Sequence, residues 1–281
     1  MNTHQHPHRT TVRRRRIDAG LALAGIGATV AIATVPASQA SAASSPISCG
    51  TTVTTDVRLD TDLVDCQGSG LIVGAPGITV DLGGHTVDGT GTGVGIDNQA
   101  SFDDVEIRSG TVTDFTLGVV LFDAAGNRVE RVTAAGNAVG FDVHRTVGAE
   151  LERVVAHSNA GTGISVGFAE ATVVRRATVT GNGQGGIVDR SSFGSRYERN
   201  FVSGNAFGME IAQTDRAEVD RNEVSTNNGD GIRIGFWATG VNVDSNSTHG
   251  NAGAGLVIEE PGNTVSRHQS SGNGGGDVVL L

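Results

Sequence analysis

A glycine followed by an apolar residue recurs down the chain: Gly70-Leu71, Gly95-Ile96, Gly118-Val119, Gly140-Phe141, Gly163-Ile164, Gly186-Ile187, Gly208-Met209, Gly231-Ile232 and Gly255-Leu256. Successive pairs lie 22 to 25 residues apart. A fixed period of this length marks a solenoid, in which each repeat buries its apolar face only against its neighbours. A short strand follows each glycine, and strand side chains alternate between faces. Val119, Phe141, Ile164, Ile187, Met209, Ile232 and Leu256 therefore form one inward column. Two residues on, Leu121, Val143, Val166, Asp189, Ile211, Ile234 and Ile258 form a second, with Asp189 as its polar exception.

A second strand places Val129, Leu151, Val174, Tyr197, Val219, Val243 and Val265 inward. Just past it, Val132, Val154 and Ala177 give way to Asn200, Asn222 and Asn246. Each coil then closes on an asparagine, expected at Asn137, Asn159, Asn182, Asn205, Asn228, Asn251 and Asn273. Stacked asparagines hydrogen-bond along the axis and satisfy a turn that is buried. No segment shows a clean 3.6 period, and leucines at the offsets of a leucine-rich repeat are missing. The Gly274-Gly275-Gly276-Asp277 run is a lone fragment of a calcium-binding nonapeptide. The pattern predicts an all-β chain, a parallel β-helix of about nine coils and roughly 45 Å in length.

The beginning of the chain has a different pattern. Arg13 to Arg16 precede an uncharged run from Ala19 to Val35 and then Ala40-Ser41-Ala42. This is the layout of a secretory signal over 1–42, with no membrane segment left after cleavage. The chain beyond Ala42 carries 15 arginines, no lysine and 29 acidic residues, a formal charge of −14. Such a surface repels nucleic acid. In an exported chain the two cysteines, Cys49 and Cys66, are expected to pair. Val53, Val57, Leu59 and Leu63 alternate with polar residues, so 43–69 is expected to form a disulfide-tied N-terminal cap, and 70–281 the β-helix. Asp277-Val278-Val279-Leu280-Leu281 starts a further strand, an edge open to self-association.

The segments Val129-Glu130-Arg131-Val132 to Gly136-Asn137 and Tyr197-Glu198-Arg199-Asn200 to Gly204-Asn205 resemble the right-handed parallel β-helix repeat of the pectate-lyase-like superfamily. Cys66 through Gly84-His85-Thr86-Val87 is similar to the first coil of exported bacterial β-helix proteins. The resemblance runs from Cys49 to the C-terminus and implies that a polysaccharide lies along an outer strand face. The outward residues of the first strand are Asp97, Val120, Asp142, Ser165, Val188, Glu210, Arg233 and Val257. One step along lie Phe122, His144, Arg190, Ala212 and Glu259. Asp142 and His144 suit a base or acid, and Arg190 and Arg233 suit binding of sugar carboxylates. Glu210, Asp97 and Trp237 are the accompanying substrate-binding candidates, Trp237 and Phe236 by stacking on a sugar face. Asp142 and Glu210 sit three coils, roughly 14 Å, apart, too far for a two-carboxylate glycosidase pair.

Gly140-Phe141-Asp142-Val143-His144 faintly resembles the catalytic motif of alginate C5-epimerases, with Val139, Val143 and Arg145 in place of its Tyr, Pro and Asp. The sequence reading is thus a secreted module that binds extracellular or cell-wall polysaccharide, with no cofactor and no metal site. Two alternatives stand beside it. One is a lyase or C5-epimerase acting on a uronate-containing glycan. The other, implied by fold alone, is an accessory copper-associated β-helix protein.

Overall fold

The computed structural model describes residues 47–281. The expected secretory signal and the first residues of the expected cap lie outside that span. The described residues form strands and turns without a helix. All strand pairings are parallel, and each strand pairs with its counterpart one coil away.

The first sheet has eleven strands. It contains the nine glycine-marked strands, preceded by Thr51–Val53 and followed by Val278–Leu280. The predicted columns match its register: Val119 pairs with Phe141, Phe141 with Ile164, Ile164 with Ile187 and Ile187 with Met209. Two further ladders complete each coil. One holds Glu150–Glu152, Val173–Arg175, Arg196–Glu198 and Glu218–Asp220, and the other Val155–His157, Thr178–Thr180, Phe201–Ser203 and Glu223–Ser225. The eight-residue strands Glu106–Thr113 and Arg128–Ala135 run through both ladders. Val129, Leu151, Val174, Tyr197, Val219 and Val243 are wholly buried between the ladders and the first sheet, whereas Val265, expected in the same column, is exposed in the last coil.

Between the second and third ladders the chain turns on one residue in the left-handed region. Arg131, Arg153, Arg176, Arg199, Arg221 and Arg267 occupy this corner, with φ near +50°. An L-residue there costs about 1 kcal/mol or more. Most of these guanidinium groups lie against carboxylates of the second ladder. Arg131 reaches Glu130 (3.1 Å), Arg176 reaches Glu152 (2.9 Å), Arg221 reaches Asp220 (2.6 Å), and Arg267 reaches Asp244.

The interior polar groups are satisfied by two asparagine ladders. Asn182 Nδ2 donates to Asn205 Oδ1 (2.8 Å) and to Ala156 O (3.1 Å), and the motif repeats from Asn137 to Asn273. One rung differs from the sequence expectation. Asn227, not Asn228, continues the ladder from Asn205 to Asn251, while Asn228 is exposed. The other asparagine ladder runs Asn200–Asn222–Asn246. At the start of the described chain Cys49 and Cys66 form a disulfide with Cα atoms 5.3 Å apart. Closing this loop contributes about 3 kcal/mol.

Candidate functional site

Sheet register fixes the outward row as expected: Asp97, Val120, Asp142, Ser165, Val188, Glu210, Arg233 and Val257 sit one above another. Beside it run Phe122, His144, Gly167, Arg190 and Ala212. A groove follows this part of the sheet, walled by the residues of the corner after each strand.

Its first cavity, about 490 Å³, is lined by His144, Phe168, Arg190, Gln213 and a row of small or amide-bearing side chains. His144 Nδ1 lies 3.6 Å from Asp142 Oδ1, outside normal hydrogen-bonding range. The imidazole leans over the next strand, into the space that Gly167 leaves by having no side chain. A Cβ on Gly167 would come within 2.7 Å of the ring. Phe168 follows in the left-handed region, 63% exposed, with its ring centroid 5.6 Å from that of His144. Ser191 Oγ donates to Gln213 Oε1 (3.2 Å) on the same wall.

The second cavity, about 630 Å³, shares Arg190 and Gln213 and extends to Phe236, Trp237, Arg233 and Glu259. Phe236 and Trp237 are 65% and 70% exposed. Trp237 has φ +60°, and its backbone N–H donates to Glu260 Oε1 (3.3 Å). A smaller hollow of about 300 Å³ lies over Phe207, Met209, Glu210, Asp230 and Arg233.

The arginines of the groove are engaged. Arg190 Nη2 donates to Glu210 Oε2 (2.8 Å). Arg233 donates to both Asp230 and Glu259. Burial works against the Arg233 charge, but Asp230 and Glu259 outweigh it and raise its pKa above the usual arginine value.

The sequence candidates therefore divide. Arg190 and Glu210 meet, and Trp237 shares their cavity with Arg233. Asp142 and His144 lie at the other end. By strand spacing Arg190 is two coils, roughly 10 Å, from His144, and Arg233 four coils, roughly 19 Å, from Asp142. Asp97 lies two coils beyond Asp142 in the opposite direction, held by Ser69 Oγ (3.4 Å) and Gln99 N (3.0 Å). Phe168, Gln184, Ser191 and Gln213 line the groove without having been singled out by sequence. The signal for the corner residues among them was position, immediately after each strand of the first sheet.

Beneath the groove Asp189 is fully buried between the outward residues Val188 and Arg190. Neither Arg190 nor Arg145 pairs with it, and it takes no part in the asparagine ladders. Instead the hydroxyls of Ser192, Tyr197, Ser195 and Thr214 surround it. Neither carboxyl oxygen accepts a hydrogen bond of normal geometry, and Tyr197 OH and Ser195 Oγ are likewise unpartnered. Burial raises the Asp189 pKa. Burial, and then the nearby Asp189, push the Tyr197 phenol well above its usual value.

No group of three or more His, Cys, Asp or Glu side chains is arranged to hold a metal among the described residues.

Solved structures of similar shape include the A-module of Azotobacter vinelandii mannuronan C-5 epimerase AlgE4 (12% identity, 82% of this chain and 80% of that chain, TM-score 0.55). The periplasmic alginate epimerase AlgG is similar at 14% identity over 81% of this chain and 73% of that one, with a TM-score of 0.52. The Dettilon tailspike protein gp208 is similar at 13% identity over 82% of this chain and 60% of that one, with a TM-score of 0.54. At these identities the likeness is one of fold. No curated protein sequence matches the chain. A family model for the right-handed β-helix region matches residues 60–202 and 149–280. Parallel ladders at one coil per repeat, the stacked asparagines and this match, which spans most of the sequence, establish that the chain belongs to the right-handed β-helix family.

Proposed function

We propose that this protein is an exported polysaccharide-binding module, and that the groove on the outer face of its first sheet holds the glycan. The observation that carries this reading is the row of exposed rings, Phe168, Phe236 and Trp237, along a groove that also presents hydroxyl, amide and charged side chains. Sugar rings stack on such faces through their C–H edges while their hydroxyls meet amides and hydroxyls. The fold likeness to alginate epimerases and a tailspike protein supports the choice of a polymer as ligand. The disulfide and the leader-like first 42 residues support export. Titrating the purified chain with glycan oligosaccharides in a calorimeter tests the reading. Binding should be saturable and fall sharply in a Phe236→Ala, Trp237→Ala double variant. Binding that this variant leaves intact would remove the groove from the account.

A second reading, turnover of a uronate glycan by Asp142 and His144, draws on their approach to 3.6 Å at one end of the groove. Incubation with polyuronates in D₂O, followed by NMR, tests it. Deuterium incorporation at C5 or a new double bond, lost in Asp142→Asn, would favour an enzyme.

A further inference from the structure

We infer that the groove selects an uncharged glycan and rejects a polyuronate. This deepens the proposed function and rests on it. Recognition of a sugar carboxylate needs an arginine free to form a paired hydrogen bond with it. Among the described residues, two arginines line the cavities of the groove, and both are already committed. Arg190 is held by Glu210 at 2.8 Å, and Arg233 is clamped between Asp230 and Glu259. In the cavity beneath Trp237 the two arginines meet two glutamates, so the charges cancel. Asp230 beside it and Asp142 at the far end tilt the groove toward negative.

A uronate entering here would displace a carboxylate already in place and then sit among the remaining acids. Like charges brought together in a partly desolvated groove oppose binding. The whole chain adds to this, with a formal charge of −10. Neutral groups dominate the other cavity, where Thr162, Ser165, Gln184, Ser191 and Gln213 present hydroxyls and amides. Each both donates and accepts, as sugar hydroxyls do. Glu210 and Glu259 are then the specificity-determining residues. They hold the arginines in place as donors and block their use by an anionic ligand.

A charge-swap experiment tests this. The full chain, Glu210→Gln and the Glu210→Gln, Glu259→Gln double variant are titrated with neutral gluco- and galacto-oligosaccharides and with oligouronates of matched length. Circular dichroism and melting confirm that each variant is folded. The inference predicts that the wild-type chain binds a neutral series at least tenfold more tightly than any uronate, with little dependence on salt. It also predicts that freeing Arg190, and leaving Arg233 with Asp230 as its one remaining carboxylate partner, raises uronate affinity at least tenfold, in a salt-sensitive way. Uronate binding by the wild-type chain as tight as neutral binding, or variants that gain nothing for uronates, would overturn the inference and leave the groove as a glycan site. Silence toward both series would overturn the glycan reading itself, and the inference with it.

Discussion

Two outer faces of the same rod treat charge differently. On the second ladder, Glu152 is surrounded by Arg128, Arg175, Arg176 and Arg153 at 2.6 to 3.3 Å, and Arg128 also reaches Glu130 and Glu150. The carboxylate is almost wholly covered by its partners. On the first sheet, pairs such as Arg190–Glu210 leave open volume beside exposed rings. Both faces stand on the same repeat, so the backbone does not make the difference. The corner residues make it. Left-handed arginines close over the second ladder, whereas Phe168 and Trp237 project beside the first sheet and leave a groove. Saturated charge leaves one face a closed wall, and rings beside polar side chains leave on the other the kind of surface the proposed glycan would need.

The largest effect is expected where both faces share a support. Asn205 accepts from Asn182 N and Nδ2 and donates to Val179 O and Asn227 Oδ1. Asn205→Ala orphans these buried partners and should cost about 3 kcal/mol or more in denaturant melts, degrading ladder and groove together. Loss of stability confined to one face, seen by hydrogen exchange, would contradict a common interior.

Glu152→Ala should separate the faces. We expect a loss of about 1–2 kcal/mol, allowing for solvent around the arginines, with glycan affinity unchanged. Trp237→Ala should do the reverse, weakening glycan binding about tenfold at an unaltered melting temperature. A Trp237 variant that melts early, or a Glu152 variant that loses binding, would erase the distinction.

A smaller effect appears in pH. Burial opposes the charge on Glu152, but Arg128 and Arg175 prevail and hold its pKa at about 2. Its stabilisation is present above the unfolded carboxylate value and is lost as pH falls toward that folded value. Asp189 has the opposite sign. Its pKa is raised by burial, so the fold retains the proton that the unfolded chain releases, and stability declines as pH climbs past about 4. Asp189→Asn should flatten that decline. An unchanged stability profile would mean that the buried carboxyl carries no such linkage.

Much of this was legible in the sequence, because strand alternation and a fixed period force residues into columns. The inward positions from Val119 to Leu256 and from Val129 to Val243 needed nothing further. The sequence pattern pointed to Asn228 where register places Asn227, since either asparagine keeps the coil length near its average. The outward row was also legible, but not what its members touch. Arg190 and Arg233 look like free cations in sequence, and their partners Glu210, Asp230 and Glu259 include neighbours from an adjacent coil. The groove wall was least visible. The corner run Phe168, Ser191, Gln213 shares no chemistry, and its common feature is a left-handed backbone. Asp189 was recognisable as an exception, but its ring of hydroxyls comes from the turn after its own strand, the strand that follows, and a corner of the next coil.

Trp237 is the single tryptophan of the chain and stands in the groove. Its emission therefore reports the proposed site without any label. Titrating a neutral oligosaccharide while recording tryptophan fluorescence tests the central claim most directly. The account predicts a saturable blue shift that persists in high salt and is weak or absent with oligouronates. Glycan binding detected by calorimetry with no change in Trp237 emission would contradict it, as would a shift produced by uronates alone.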